Sequence, residues 1–582
     1  MNIKTRLLTL IVVLLLLSAA CWSMTLFVSP DGDDANSGHT IDAPLKTIHE
    51  ALKRVGSGDE IRLLPGTYPA RTLLYKIHGQ PEKPLVIVSH SPDPSQFAVI
   101  DGGIQPSGTS QNVHAFDIRS SSWIVFQNLV IRNCWTDVTE IKDSQYLTFR
   151  GCRFTGGRRV IVPNGSTSHH ILVENCFWEQ DPRVWTTFDW LQMHHLSMGY
   201  YNGALVHPWT SGGSIVMRGN TIINVYNAYR HRSAAWNQDG NSEIYDNTIS
   251  NVADNDFEPE SWAWNLHYYH NRLHNVHKLY SIDEVQGGPI YIYGNTFTQD
   301  TDSIAVNRIS GMWKFKKGPL QEPCYAFNNS YYTEAKAFKK DEATNRQLKH
   351  FNNAYFFFAD SGGFALPDWD DSFRFDYDAS NMPWPPNITI HGQERHGIIT
   401  DIMFKNGPGR DLRLRADSPC IDAGTVMTFP ELGWTQEFEG SAPDIGAWEE
   451  DHLVEGPPFR FREPPGGVSY KEKPRIVRHR VTGKTLTLFF SAPLNPATIS
   501  AAIVHVWQDS SEADVSAVTV APEHYRVEIQ AAKPLLAEKL HISFEPMPVG
   551  ENGETATMWA STIGYRAHSF ETGNKINVDK IK

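Results

Sequence analysis

A short phrase recurs along the middle of this chain, and it restricts the fold more than any other feature. Alternating apolar residues run into an Asn or Gly and then into more apolar residues. The first copies are "WIVFQNLVI" at Asn128, "YLTFRGCRF" at Gly151, "ILVENCFW" at Asn175 and "SIVMRGNTII" at Asn220. The phrase continues through "EIYDNTIS" (Asn247), "NLHYYHNRLHN" (Asn271), "IYIYGNTFT" (Asn295), "CYAFNNSYY" (Asn328) and "FNNAYFFF" (Asn352). Successive corners lie 23, 24, 45, 27, 24, 24, 33 and 24 residues apart, so the 45 reads as two turns and the 33 as one turn plus a loop. Helical repeats are the rival, but units rich in Val, Ile, Tyr, Phe and Thr that alternate with period two are strands. A unit this short cannot bury its own apolar face. Copies must stack and bury it on one another, which predicts an all-β parallel solenoid. Asn suits the corner because it tolerates left-handed backbone and its amide can bond its copy in the next turn. Cys152 and Cys176 fall in one register of adjacent turns and are expected as buried apolar residues, with a disulfide the lesser alternative.

The stretch before the repeat, "LFVSPDGDDANSGHTIDAPLKTIHEALKRVGSGDEIRLLPGTYP", holds a strand, a Gly/Asp/Asn turn and an amphipathic helix with Leu45, Ile48, Leu52 and Val55 on one face. A strand ending in "PGTY" follows. Such a helix would close the open end of a solenoid. With this entry, and with "SPCIDAGT" (418–425) and "PDIGAWEE" (443–450) as closing turns, the chain resembles the pectate-lyase-like right-handed parallel β-helix proteins over about residues 25–450. The resemblance implies a carbohydrate-active fold and leaves the reaction open. Beyond it lie a Pro/Gly-rich linker, 455–470, and strands such as "KTLTLFF" and "LHISFE" that resemble a bacterial Ig-like β-sandwich, 471–582. This module is expected to be an accessory spacer. The solenoid is expected over 24–454.

Residues 1–23 read as a signal peptide: Lys4 and Arg6, an apolar run from Leu7 to Leu17, and "SAAC". The run is short for a membrane span. Cys21 follows the expected cleavage point and would carry a lipid anchor in a lipoprotein, although Ser18 stands where a lipobox usually has Leu. The expected location is secreted, periplasmic or on a bacterial cell surface, and the expected state is a monomer. A net charge of −13 argues against a nucleic-acid partner.

One stretch carries the chemistry. "DNDFEPE", residues 254–260, sets Asp254, Asp256, Glu258 and Glu260 at alternate positions, and a strand points all four one way. Aligned on the corners, the same strand in neighbouring turns is "AYRHRSA" (228–234), "LYSIDEV" (279–285) and "SIAVNRI" (303–309). With Tyr229, Phe257, Ile282, Ile304 and Val306 inward, the outward column becomes Arg230 and Arg232, then Asp256, Glu258 and Glu260. Ser281 and Asp283 come next, and then Asn307 with Arg308 beside it. Adjacent parallel strands lie about 4.8 Å apart, so Glu258 and Asp283 become neighbours.

Three readings compete. The row is a surface charge ladder; or Asp256, Glu258 and Asp283 hold Ca²⁺; or two carboxylates form a glycosidase pair. In the lyase families this fold resembles, Ca²⁺ neutralises a substrate uronate while a Lys, Arg, His or Tyr takes the proton, with Arg230, His231 and Arg232 as candidates here. Neither the Asn-Thr-Asp, Gly-His-Gly and Arg-x-Lys set of polygalacturonases nor the Arg-x-Pro-x-x-Arg of pectate lyases is present. The aromatic segment 177–212 contains four Trp and falls where the repeat gap doubles, so it either walls a sugar cleft or folds back over the solenoid. His194 and His195 within it lack a ligand pattern. The reading adopted is a polysaccharide-degrading glycoside hydrolase that requires no cofactor. Its catalytic residues are Glu258, Asp283 and Asp256, and Arg230, Arg232, His231, Glu260, Trp262 and Arg308 bind substrate. Trp264 is expected to border the same face. The alternatives are a Ca²⁺-assisted lyase and a non-catalytic glycan-binding surface protein.

Overall fold

The computed structural model describes residues 23–565 apart from 105, 107–111, 195–197, 233–234, 236, 283–285, 316–319, 339–346, 361, 365–372, 391, 465, 469, 510 and 538–539. Residues 1–22 of the segment read as a signal peptide, Cys21 among them, lie outside the described residues. The repeat folds into a parallel β-helix. One sheet stacks thirteen strands, from Thr25–Val28 to Arg374–Asp376, and a second stacks fifteen, with Thr67–Pro69 and Ile398–Ile399 at its ends. Register is regular: Ile244 pairs with Tyr268, Tyr268 with Ile292, Ile292 with Ala326 and Ala326 with His350. All five face the lumen and are buried. Thr47 caps the short helix Ile48–Leu52, and Leu45, Ile48 and Leu52 close the end of that core. No helix among the described residues is long and apolar enough to cross a membrane.

The corner divides between two positions the roles first given to one. Asn128, Gly151, Asn175, Gly219, Asp246, His270, Gly294, Asn328 and Asn352 take left-handed backbone, with φ between 50° and 64°. The residue after each carries the ladder. Nδ2 of Asn220, Asn247, Asn271, Asn295 and Asn329 donates to Oδ1 of the next rung at 2.8–3.1 Å, ending on Asn353. Asn329 and Asn353 therefore replace Asn328 and Asn352 as ladder residues. Cys152 and Cys176 occupy this position before the asparagines begin, as buried free thiols. Asn271→Ala leaves the Ile244 carbonyl and the Asn247 amide without their partners. We expect it to lower the unfolding free energy by about 2–3 kcal/mol, the cost of stranding buried polar groups. An unchanged urea midpoint would contradict this.

A third face begins with Thr72–Tyr75, Phe116–Arg119, Asp137–Lys142 and Arg159–Asn164. It continues through single bridges, Ile161 to Val206 and Val206 to Tyr229, then through Tyr229–Phe257, Phe257–Tyr280 and Tyr280–Trp313 pairs. The doubled gap is thereby explained. Residues 203–209 supply the missing rung, and the helices Arg183–Thr186 and Trp190–His194 lie outside it. Val184, Met193 and Tyr201 pack there on Trp135, Tyr226 and Ala253.

Beyond the solenoid, two four-stranded sheets enclose a separate core that includes Leu486, Val506, Val527 and Ile542. The segment read as a linker is strapped to the solenoid: Asn241 and Asn265 donate to the carbonyls of Arg462 and Arg460, each at 2.9 Å. A buried ion pair, Arg475 to Glu243 at 2.6 Å, and a buried hydrogen bond, His170 to Glu472 at 2.8 Å, dock the sandwich.

Candidate functional site

On the third face Val206, Tyr229, Phe257, Tyr280 and Trp313 are fully buried core residues. The residue after each of them lies in one column on the outer side: His207, Arg230, Glu258, Ser281 and Lys314. Two positions further on, Trp209, Arg232 and Glu260 form a second column. Cations thus fill one rung and acids the next, as the alternation predicted, and Pro259 ends strand pairing at Glu258 because it has no N–H to donate.

The acids are held tightly. Glu258 is 3% exposed, with Arg230 Nε at 3.1 Å and Asn227 Nδ2 donating to it at 2.9 Å. Glu260 receives Arg230 Nη2 at 3.3 Å and Arg232 Nε at 3.2 Å. Burial pushes the Glu258 carboxyl well above its ordinary value against the pull of Arg230, and repulsion from Glu260 and Asp254 adds to it. Glu260 moves the other way: burial raises it, but Arg230, a hydrogen bond from Glu258 and Arg232 together bring it below its ordinary value. Burial and the neighbouring charges thus set the two carboxyls apart, Glu258 upward and Glu260 downward.

The helical segment borders this row on one side. The Asn202 side-chain carbonyl accepts from Arg230, Trp190 Nε1 donates to Asp254 at 2.8 Å, and His194 bonds the Tyr226 hydroxyl. Segment 177–212 therefore both folds back on the sheet and edges the acidic row. Two clefts of about 280 and 360 Å³ lie elsewhere, at the junction with the sandwich, lined by residues such as Tyr291, Tyr325 and Arg460 in one and His169 and Tyr470 in the other.

Several expectations fail here, each for a physical reason. Asp256 is not on the outer wall. It is fully buried and accepts a hydrogen bond from Tyr268, a core residue of the opposite sheet. Phe257 pairs with Tyr280, which places Ser281 rather than Asp283 opposite Glu258; Asp283 itself lies outside the described residues. Of the expected glycosidase pair, only Glu258 is therefore described, with Ser281 beside it. His231 points inward with Tyr229, bonded to its hydroxyl, and burial lowers its imidazole to about 3. Residues 303–308 form a helix, not a strand, because Asp302 caps it by accepting from Ile304 N and Ala305 N at 2.8 and 2.9 Å. Ile304 is accordingly exposed, and Arg308 leaves the column to bond the Val184 carbonyl and lie over Trp185. Trp264 is a filler packed on Gly240, with its N–H donated to Gln238 O. Trp262 is half-buried in the turn after Glu260. Arg230, Arg232 and Glu260 are brought together as read.

Sequence reasoning missed Asn202, Asn227, His207, Trp209 and Lys314. The first, third and fourth lie in the flagged aromatic segment, where Pro208 hides a rung.

A calcium cage is not formed by the described carboxylates. Asp256 is committed to Tyr268, and Glu258 and Glu260 to arginines. Among the described residues no group of three or more His, Cys, Asp or Glu converges on a point. His195 lies outside the described residues.

No family model matches the chain. The pectate lyase PEL9 of Emericella nidulans is 27% identical over 146 residues, which is 25% of this chain and 31% of that protein. The match thus spans about a third of the relative's length. The crystal structure of pectate lyase Pel9A aligns with 75% of this chain and 98% of its own at 16% identity, with a TM-score of 0.41. A mannuronic acid specific polysaccharide family 6 lyase from human gut microbiota aligns with 65% of this chain and 92% of its own, at 11% identity and a TM-score of 0.40.

Proposed function

We propose that this chain is a secreted polysaccharide lyase that cleaves a uronate-containing glycan by β-elimination on the third face. The observation that carries the reading is the pairing of the acids. Glu258 is buried under Arg230 and cannot reach a glycosidic oxygen, whereas Arg232 keeps a side chain 48% exposed beside Trp209, itself 41% exposed. A half-exposed guanidinium beside an indole suits a sugar carrying a carboxylate. The local sequence likeness to a pectate lyase supports the same class.

In this reading Arg232 pairs with the uronate carboxylate and makes the neighbouring C–H more acidic. A base takes that proton, and Glu258, whose carboxyl burial raises, supplies a proton through Glu260 to the leaving oxygen. Two partly exposed nitrogen groups border the row. His194 has a side chain 25% exposed, and Lys314 lies in the Glu258 column. Loss of elimination in Lys314→Ala with retention in His194→Ala would assign the base to the lysine, and the reverse to the histidine.

The test is digestion of pectic and alginate-type polysaccharides with and without chelator, following reducing ends and unsaturated-uronate absorbance together. Absorbance that survives chelation and falls in Arg232→Ala is expected. Reducing ends without absorbance would return the site to hydrolysis.

A further inference from the structure

His207 has no function in the account above, and its surroundings are unusual. It is 3% exposed, and neither ring nitrogen has a hydrogen-bond partner among the described residues. A buried, unpartnered imidazole is costly unless something absent from the bare chain satisfies it. Burial holds the imidazole well below its ordinary value, and the charges of four guanidiniums, Arg230, Arg159, Arg158 and Arg232, push it the same way. Arg159 pairs with Asp137, and Arg230 and Arg232 pair with Glu258 and Glu260. Arg158 instead donates to the Asn202 carbonyl at 2.7 Å, and among the described residues no carboxylate lies within ion-pair distance of it. Four guanidiniums thus face three carboxyls. Asn202 holds two of them, Arg158 through its main chain and Arg230 through its side chain. Trp209 closes the outer edge, nearly parallel to the His207 ring at 6.3 Å and lying under Arg159 at 5.8 Å.

We propose that His207, Arg158 and Arg230, edged by Arg232 and Trp209, form an oxyanion subsite that takes the carboxylate of the uronate next to the one being cleaved. The proposal rests on the lyase reading for its substrate class and on the orphaned imidazole for its place. An anion admitted between Arg158 and Arg230 balances the odd guanidinium and accepts a hydrogen bond from the imidazole N–H. Asn202 releases the two arginines as the ligand takes over their hydrogen bonds.

Isothermal titration of trigalacturonate and of inorganic sulfate into wild type, His207→Leu and Arg158→Gln tests this without any cleavage. Loss of one hydrogen bond to a charged group should weaken trigalacturonate about tenfold in each variant. Sulfate should weaken in parallel. Arg158→Gln guards against a folding defect in His207→Leu. Unchanged affinity in both variants would overturn the subsite, the imidazole then being satisfied by a structural water only. Binding that depends on His207 in a protein that never yields unsaturated uronate would keep the subsite and discard the lyase. Elimination with His207-independent binding would do the reverse.

Discussion

Arg230→Met is expected to lower the unfolding free energy by about 3–5 kcal/mol at neutral pH, the cost of stripping the partner from a buried charge. The guanidinium is 7% exposed and serves Glu258 and Glu260 together. Burial opposes its charge, and the two acids more than offset that, so it stays protonated at any working pH. Without it, the Glu258 and Glu260 carboxyls face each other across a low-dielectric gap, and the second can ionise only against the first. The deficit must then depend on pH with a definite sign. Removing Arg230 raises the Glu258 carboxyl further above its unfolded value and removes the largest pull that holds Glu260 below its own. The folded variant therefore holds protons that the unfolded chain has released, and its stability falls as pH rises through the carboxylate range. Below about pH 4, where the unfolded chain also keeps those protons, the loss should shrink. Urea unfolding at both ends of that range measures it. Adding Glu258→Gln to Arg230→Met should restore part of the stability at neutral pH, because one of the two opposed charges is gone. Equal losses at both pH values with no restoration would mean that the guanidinium acts by packing alone.

How much of this was legible in the sequence differs between the stack and the site. The stack was legible because a 24-residue period and a two-residue alternation are both carried by many residues, so a few misread corners do not disturb them. The register of the site depends on one irregularity. Thr248 pairs with Arg272 and Val252 with Val276, both 24 residues on. After a bulge between Val252 and Asn255, Asn255 pairs with Lys278 and Phe257 with Tyr280, only 23 on. Nothing in "NVADNDFEPE" announces that inserted residue, and it also turns Asp256 and Phe257 to the same side of the wall. A bulge is a local backbone choice, settled by what Tyr268 and Asn227 offer from other turns. The helix at 303–308 was missed because six residues are too few to show a period, whereas a capping Asp is a sufficient cause. The arginines were legible for a different reason. The pairing slips on their side too, from Val225 with Val252, 27 residues on, to Tyr229 with Phe257, 28 on, but the extra residue lies in the acidic strand, so alternation from Tyr229 still sets Arg230 and Arg232 outward.

Asp256 gives the sharpest test of that bulge. Burial pushes its carboxyl from 3.8 up to about 7, against the pull of the Tyr268 hydroxyl. The unfolded chain releases this proton near 3.8 and the folded chain keeps it to about 7, so across that window the folded state binds more protons and stability falls as pH rises. Roughly three pH units at 1.36 kcal/mol each amount to about 4 kcal/mol from this one group. Asp239 is likewise buried and pushed to about 7, so the wild-type slope contains more than one contribution, and only a difference isolates Asp256. The Asp256→Asn variant should match or exceed wild type at pH 7 and lose its advantage by pH 4, with the gap between the two unfolding curves closing through the window. It should also leave polysaccharide cleavage intact, since the lumen of the solenoid is closed to a glycan. An outward carboxylate in the acidic row would give the opposite pair of results, a flat stability difference and a damaged reaction. The same variant therefore decides between an acid that serves the site and one that the bulge has turned into the core.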